Sequence, residues 1–297
     1  MNKVGVELKR TTLANGETLG YRERAGGDKV LLLVHGNMTS SKHWDLLIDV
    51  IPSSYKILAV DLRGFGHSTY IRPVESIKDF SDDLKLFVDQ LQLSKFSMIG
   101  WSTGGAVAMQ FCADYPGLCE QLILLASVST RGYPTFGSPD LTKRLQTQEE
   151  VRNDAKTMTV QQAYDTNNRD FLKSVWNTLI YTKKQPDNRK YEEYVDDMLT
   201  QRNLAEVYHI LNIFNISDQH NGLLQGRNQV KDIQIPVLIL RGSDDLVISK
   251  QMADEIMEDF HGRAVFKELA ACGHSPLIDN LDLLCDEIVQ FLDNKVQ

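Results

Sequence analysis

Cysteine is scarce. Cys112, Cys119, Cys272 and Cys285 are the only four in 297 residues. None stands in a C-x-x-C pair, so neither a zinc site nor a dithiol redox motif is suggested. The N-terminal "MNKVGVELKR" has no apolar core segment of an export signal. The four thiols therefore read as free, in a reducing cytoplasm. No apolar run approaches the roughly 18 residues of a membrane span. Positive charge is in deficit, with a net charge of −8 and no concentrated Lys/Arg stripe, which argues against a nucleic-acid partner. Internal repeats and low-complexity tracts are absent. So are an H-E-x-x-H helix and a nucleotide-binding loop, and no metal or cofactor is expected.

What is present is an ordinary globular composition, 42% hydrophobic and 24% charged. The first alternating segment, "GVELKRTTLANGETLGYRERAG", reads as a hairpin turning at Asn15-Gly16, a dipeptide that tolerates positive φ. "KVLLLVHGN", "YKILAVDLRG", "KFSMIGW", "QLILLASVS", "PVLILRGSDD" and "AVFKELAACGH" are short apolar runs. Such runs suit strands buried on both faces. Helical patterns such as "SIKDFSDDLKLFVDQLQL" and "AVAMQFCADYP" lie between them. This alternation predicts an α/β fold with a mainly parallel sheet flanked by helices. It breaks over 131–230, where "DFLKSVWNTLIY" and "LAEVYHILNIF" have amphipathic helical spacing. The expected organisation is a core in two parts, 1–130 and 231–297, with an inserted helical cap at 131–230. "DNLDLLCDEIVQFLDN" would be the closing helix.

The segment "MIGWSTGGAVAMQ" places one serine between glycines where a strand gives way to a helix. Gly100-Trp101-Ser102-Thr103-Gly104 is a G-x-S-x-G turn. In that context a sharp bend forces the serine to positive φ and crowds the chain two residues on either side, where glycine fits. The bend lifts the hydroxyl clear of the sheet, at a helix N-terminus that favours developing negative charge. A serine hydroxyl needs a base, and the base an orienting acid. Of seven histidines, His35 follows a strand and shapes its loop, His43 and His67 sit in a helix start and a turn, His209 and His220 lie in the insertion, and His261 is in another turn. His274, in "ACGHSPLID", falls between the last strand and the closing helix, at the carboxyl edge of the sheet where open α/β sheets build sites. It is the candidate base. The acid comes from "LILRGSDDLVI", which offers Asp244 and Asp245. Asp61 and Arg63 read as a structural ion pair.

"HGN" at 35–37, "DLRGFGHS" at 61–68, "GWSTGG" at 100–105, "GSDDLVI" at 242–248 and "CGHSPLID" at 272–279 occur in the order and rough spacing of the α/β-hydrolase superfamily, which the chain resembles over nearly its whole length outside the insertion. The resemblance implies that the acid is Asp245, three residues past Gly242. It also implies an oxyanion hole from the backbone N–H groups of Thr103 and Asn37. Thr103 departs from the methionine that often follows the serine in related hydrolases. "HGNMTSSKHW" is similar to a loop of haloalkane dehalogenases, but those enzymes and the epoxide hydrolases carry an aspartate nucleophile where this chain has Ser102. The implied activity is ester hydrolysis through Ser102, His274 and Asp245, on an ester-containing small molecule or a polyester. Cofactor-free haloperoxidases, C–C bond hydrolases and ligand receptors share the fold and remain alternatives. Among named families the chain is most similar to small intracellular polyhydroxybutyrate depolymerases, through the Trp-Ser pair of "GWSTGG" and the chain length, which implies a polyester granule surface as partner. In the insertion, Phe171, Trp176, Tyr181, Tyr208 and Phe214 are the candidates to line an apolar cleft.

Overall fold

A computed structural model describes residues 5–293. Residues 1–4 and 294–297 lie outside the described residues; they include part of "MNKVGVELKR", Asn294 of the expected closing helix, and the outer ends of the two core segments. Eight strands form one sheet: β1 Val6–Thr12, β2 Thr18–Arg24, β3 Lys29–Val34, β4 Tyr55–Val60, β5 Phe96–Trp101, β6 Cys119–Leu125, β7 Val237–Gly242 and β8 Ala264–Leu269. Their order across the sheet is β1-β2-β4-β3-β5-β6-β7-β8. β1 and β2 pair antiparallel, and β2 is antiparallel to β4. Every pairing from β4 to β8 is parallel. The turn of the first hairpin falls at Gly16, with φ 90°.

The helices are α1 Asp45–Val50, α2 Ile77–Gln90, α3 Thr103–Asp114, α4 Gln148–Asn153, α5 Ala155–Asp165, α6 Arg169–Leu179, α7 Asn188–Met198, α8 Leu204–Ile213, α9 Lys250–Asp259, α10 Pro276–Asp279 and α11 Leu281–Asp293. α2 begins in a capping box, where Ser76 N–H donates to Asp79 Oδ2 at 2.9 Å. The apolar side chains fall into two clusters. One holds Phe80, Phe87 and Phe111, and the other Trp44, Trp101 and Trp176. The central strands β3 to β7 carry fully buried runs, whereas Val6 and Leu8 on β1 and Val265 on β8 are exposed at the two edges. That burial is why the central strands read as continuous apolar runs and β1 as an alternating one.

Between β6 and β7 the chain forms α4 to α8 and contributes no strand to the sheet. These helices share the core rather than hanging from it. Val207, Ile210 and Leu211 of α8 join the first cluster; Leu172 and Trp176 of α6 and Tyr194 of α7 join the second. Among the described residues, no helix is long and apolar enough to cross a membrane.

The topology also says where a site can form. From β3 the chain goes to β4 on one side, and β5 lies on the other. The loops leaving β3 and β5 therefore part in opposite directions and open a crevice at the carboxyl ends of the strands. The loop after β3 carries Asn37, and Ser102 immediately follows β5.

Candidate active site

Ser102 sits between β5 and α3 with φ 55° and ψ −116°. That conformation is strained for a residue with a Cβ, and the surroundings must impose it. They do so through the backbone. Ser102 N–H donates to Leu125 O at 3.0 Å, and its carbonyl accepts from Gly105 N at 2.9 Å and Val128 N at 3.3 Å. The flanking glycines are a steric requirement: a Cβ on Gly100 would run into Gly104 O, one on Gly104 into Val34 O, and one on Gly105 into Ser127 Oγ. The chain thus leaves the sheet through a bend with no room for a side chain at Gly100, Gly104 or Gly105.

His274 lies between β8 and α10. Its Nδ1 stands 3.0 Å from Asp245 Oδ2 and 3.2 Å from Oδ1, with both side chains buried. Asp245 Oδ1 also accepts from the backbone N–H groups of Val247 at 2.8 Å and Ile248 at 2.9 Å. Burial acts to raise the Asp245 pKa. The adjacent His274 and those two N–H donors outweigh it and hold the carboxyl below its ordinary range. Asp244 points the other way, is exposed, and pairs with Lys183 at 2.7 Å. The loops bearing the acid and the base are pressed together, since a Cβ on Gly242 would overlap the carbonyls of Cys272 and Gly273.

Two of the remaining histidines, His35 and His43, are occupied elsewhere. His35 Nε2 accepts from Leu62 N at 3.0 Å, which leaves Nδ1 to donate to Gly36 O at 2.7 Å. Burial depresses its pKa to about 4. His43 is enclosed by Trp101, Trp176, Tyr181 and Tyr194, with ring centroids 4.2–6.0 Å away, and burial pushes its pKa down to about 3. It stays neutral as a packing element. Trp101 stacks on His43 and donates from Nε1 to His274 O at 3.0 Å. Its buried indole braces the elbow and the histidine loop from behind and is not part of the cleft wall.

Ser102, Thr103, Asn37 and His274 line one cleft, partly open to solvent. Ser102 Oγ makes no hydrogen bond among the described residues, to His274 or otherwise. Such contacts often close only with substrate bound. The backbone N–H groups of Thr103 and Asn37 are likewise unpartnered among the described residues, and Thr103 is the first residue of α3. The rest of the wall includes Met38, Val128, Tyr133, Val175, Trp176, Leu179, Ile180, Tyr208, Leu211, Leu246 and Val247, without any Lys, Arg, Asp or Glu.

Of the five insertion aromatics expected at the cleft, Trp176 and Tyr208 reach it. Tyr181 is buried against His43, Phe214 belongs to the core, and Phe171 borders a separate surface hollow. Sequence reasoning missed Val175, Leu179 and Ile180, which share the α6 stretch with Trp176. Helical spacing from Trp176 offers them as a group but cannot tell which face meets the serine. The expected Asp61–Arg63 pair is not formed. Arg63 binds Asp83 through two bonds of 2.7 Å, while Asp61 accepts from the N–H groups of Ser41 at 2.9 Å and His67 at 2.8 Å. Both bond to other residues, Arg63 to a partner 20 positions away and Asp61 to partners 20 and 6 positions away. Among the described residues, no group of three or more His, Cys, Asp or Glu is arranged to hold a metal.

A family model for the alpha/beta hydrolase fold matches residues 29–281. The chain is 26% identical over 273 residues to a pimeloyl-[acyl-carrier protein] methyl ester esterase of Legionella pneumophila, covering 92% of this chain and 98% of that one. It is 24% identical over 267 residues to a 2-hydroxy-6-oxo-2,4-heptadienoate hydrolase of Pseudomonas putida, covering 84% and 83%. An uncharacterized protein of Mycobacterium tuberculosis is 31% identical over only 111 residues, so the match spans 36% of this chain and about a third, 33%, of that relative. Among solved structures, an esterase from Exiguobacterium antarcticum superposes with a TM-score of 0.74 at 16% identity, covering 96% of this chain and 98% of the other. That likeness concerns the fold alone.

Proposed function

Because the chain belongs to the α/β-hydrolase fold family, we propose that it is a serine hydrolase that cleaves uncharged carboxylic esters through an acyl-enzyme. The observation that carries this reading is the convergence at one cleft of a strained, outward-facing Ser102 and a His274 whose Nδ1 is held by buried Asp245. In this reading Ser102 Oγ attacks the ester carbonyl and His274 Nε2 takes its proton. Asp245 keeps the Nδ1 proton in place and steadies the imidazolium. The carbonyl oxygen, now negative, is received by the free N–H groups of Thr103 and Asn37 at the positive end of α3. His274 returns the proton to the departing alcohol, and water activated by the same imidazole releases the acid. Residues 131–230 act as the cap that selects the substrate.

The cleft's lack of charge narrows the substrate. A heptadienoate, such as the Pseudomonas putida relative is named for, is a carboxylate anion, and this wall has no Lys or Arg to receive one. A neutral ester with an apolar acyl group fits the lining. A second reading, hydrolysis of poly(3-hydroxybutyrate) or its oligomers at a granule surface, is favoured by Leu179 and Leu246. These cleft residues are 40% and 65% exposed, an apolar rim against which a polyester surface could rest.

The test is a panel of p-nitrophenyl esters together with a fluorophosphonate probe. Wild type should turn over the short esters and take up the label. Ser102→Ala should lose label, and kcat should fall by roughly 10⁴-fold or more. Undiminished activity in that variant removes the serine mechanism. Release of hydroxyacid from amorphous granules separates the polyester reading from general ester hydrolysis.

A further inference from the structure

An oxyanion donor is useful only if its N–H is held still, and the loop that carries Asn37 has reason to move. Met38, the next residue, has φ 58°, a left-handed conformation that is unfavourable for a residue with a Cβ. Something outside the loop must hold it there. Beside a long contact from Tyr208 OH to Met38 Sδ, two hydrogen bonds to the Asn37–Met38 pair come from a single side chain. Gln201 Oε1 accepts from Met38 N–H at 3.1 Å, and Gln201 Nε2 donates to Asn37 Oδ1 at 2.8 Å. The carboxamide thus grips two successive residues of the loop.

Gln201 is itself fixed. It is buried, and Tyr164 OH donates to its Oε1 at 3.3 Å while its Nε2 also donates to Asn203 Oδ1 at 3.2 Å. All four hydrogen-bonding positions of the amide are used. Its neighbours in the chain are tied to the loop after β4. Thr200 Oγ1 accepts from Gly66 N at 2.8 Å, Arg202 N donates to Gly64 O at 2.9 Å, and Asn203 Nδ2 to Arg63 O at 2.9 Å. One turn earlier, Asp197 of α7 accepts from Ser40 N at 2.9 Å at the far end of the same loop. The segment between α7 and α8 is therefore a strap running from the insertion across the mouth of the sheet.

We infer that Gln201 is a positioning residue for catalysis, which sets the Asn37–Met38 backbone so that Asn37 N–H faces the oxygen of a carbonyl bound at Ser102. The inference rests on the proposed serine mechanism and assigns the insertion a second task beside substrate selection, that of completing the oxyanion hole. An insertion that holds this loop cannot swing away as a free lid without loosening the site.

The test uses the full-length protein with p-nitrophenyl butyrate and an alkyl boronic acid, which becomes tetrahedral on the serine. Gln201→Leu removes both contacts at similar volume. The expected result is a kcat lower by about 10- to 100-fold, since misplacing a donor by an ångström costs up to that much. KM should stay within about twofold, and boronate affinity should fall in step with kcat. Asn37→Ala keeps the backbone N–H but removes the Oδ1 partner, and its effect should be non-additive with that of Gln201→Leu. If Gln201→Leu does not fold, Gln201→Glu carries the test: it retains the acceptor for Met38 N–H, sets a carboxylate against Asn203 Oδ1, whose amide is fixed by the bond from Nδ2 to Arg63 O, and should lower kcat and boronate affinity together. A variant with lowered melting temperature but wild-type kcat and boronate affinity overturns the inference and leaves the serine mechanism standing. Absence of Ser102-dependent turnover in wild type would overturn both.

Discussion

Nδ1 of His274 lies 3.0 Å from Oδ2 of Asp245, in a contact closed to solvent on both sides. Asp244, the adjacent residue, is turned outward to Lys183. The two aspartates differ by one position in sequence and by everything in environment. Under the proposed mechanism, Asp245→Asn should leave the imidazole in the wrong tautomer and lower kcat by about 10⁴-fold, the size of loss such a change causes in a serine protease. Asp244→Asn removes an exposed pair and should change kcat less than about twofold. Steady-state kinetics on one ester decide it, and the reverse ranking would move the acid to Asp244.

Backbone crowding at the elbow gives a stability prediction independent of any substrate. A Cβ on Gly104 would overlap Val34 O and stand 2.6 Å from His35 O, both backbone atoms of the neighbouring strand and loop. Neither can rotate away. Gly104→Ala should therefore destabilise the fold by about 3 kcal/mol, the upper end of ordinary overpacking costs. Gly5→Ala, where nothing lies within 4 Å, should stay within about 0.5 kcal/mol of wild type. Urea unfolding midpoints measure both, and equal midpoints would contradict the packing of α3 against β3.

The contrast between these positions also explains what could be read without coordinates. The central strands, the Asn15-Gly16 hairpin and the serine turn are written in local chemistry: apolar runs, turn dipeptides, and glycine at fixed distances from a serine. His274 and the pair Asp244 and Asp245 could be picked out because each follows a strand that the apolar pattern reveals, and strand ends converge in this architecture; the choice between the two aspartates rested on the family resemblance alone. The partners of Arg63 and Asp61 were not legible, because Asp83 lies 20 residues from Arg63 and only the packing of α2 brings it there. Gln201 was invisible for the same reason. Its two contacts join residues 163 and 164 positions apart, and nothing in the run Thr200–Asn203 sets it apart from a polar loop. The cleft-facing side of α6 was undecided for a different reason: its single apolar stripe serves both the core, through Leu172 and Trp176, and the cleft, through Val175, Trp176 and Leu179, and spacing alone cannot divide the two.

Asp197 supplies a pH prediction. Burial raises its pKa to about 6 from an ordinary 3.8, opposed by the Ser40 hydroxyl and N–H and by Arg22, and assisted by repulsion from Asp61. A carboxyl whose folded pKa is raised holds its proton in the native state at a pH where the unfolded chain has released it. Its contribution to stability is complete below about pH 4 and is lost as pH rises from 4 to 6, by at most about 3 kcal/mol. Asp197→Asn keeps an acceptor for Ser40 N–H and removes the titration. The stability difference between wild type and Asp197→Asn should therefore shift against wild type across pH 4–6 and level off above it. Urea midpoints at half-unit intervals test this, and parallel curves would mean that Asp197 is ionised in the fold throughout.

The last prediction concerns charge in the cleft. Val175, Leu179, Leu211 and Leu246 contribute to its wall, and no cationic side chain joins them. Butyrate and succinate esters of p-nitrophenol present acyl groups of similar length. The second, as its half-ester, ends in a carboxylate. To seat it, the protein would have to strip water from that charge and offer no counter-ion, a cost of several kcal/mol for a fully buried carboxylate and less where solvent still reaches the mouth. Butyrate should be favoured in kcat/KM by about 100-fold, the discrimination arising mainly as a loss of binding shared by ground and transition states. Leu246→Arg, at the exposed rim, should narrow the gap by raising kcat/KM for the half-ester and leaving butyrate nearly unchanged. Equal rates on both esters in wild type would mean that the acyl chain leaves Ser102 towards solvent instead of lying along this wall, and that the apolar lining receives the alcohol part of the substrate.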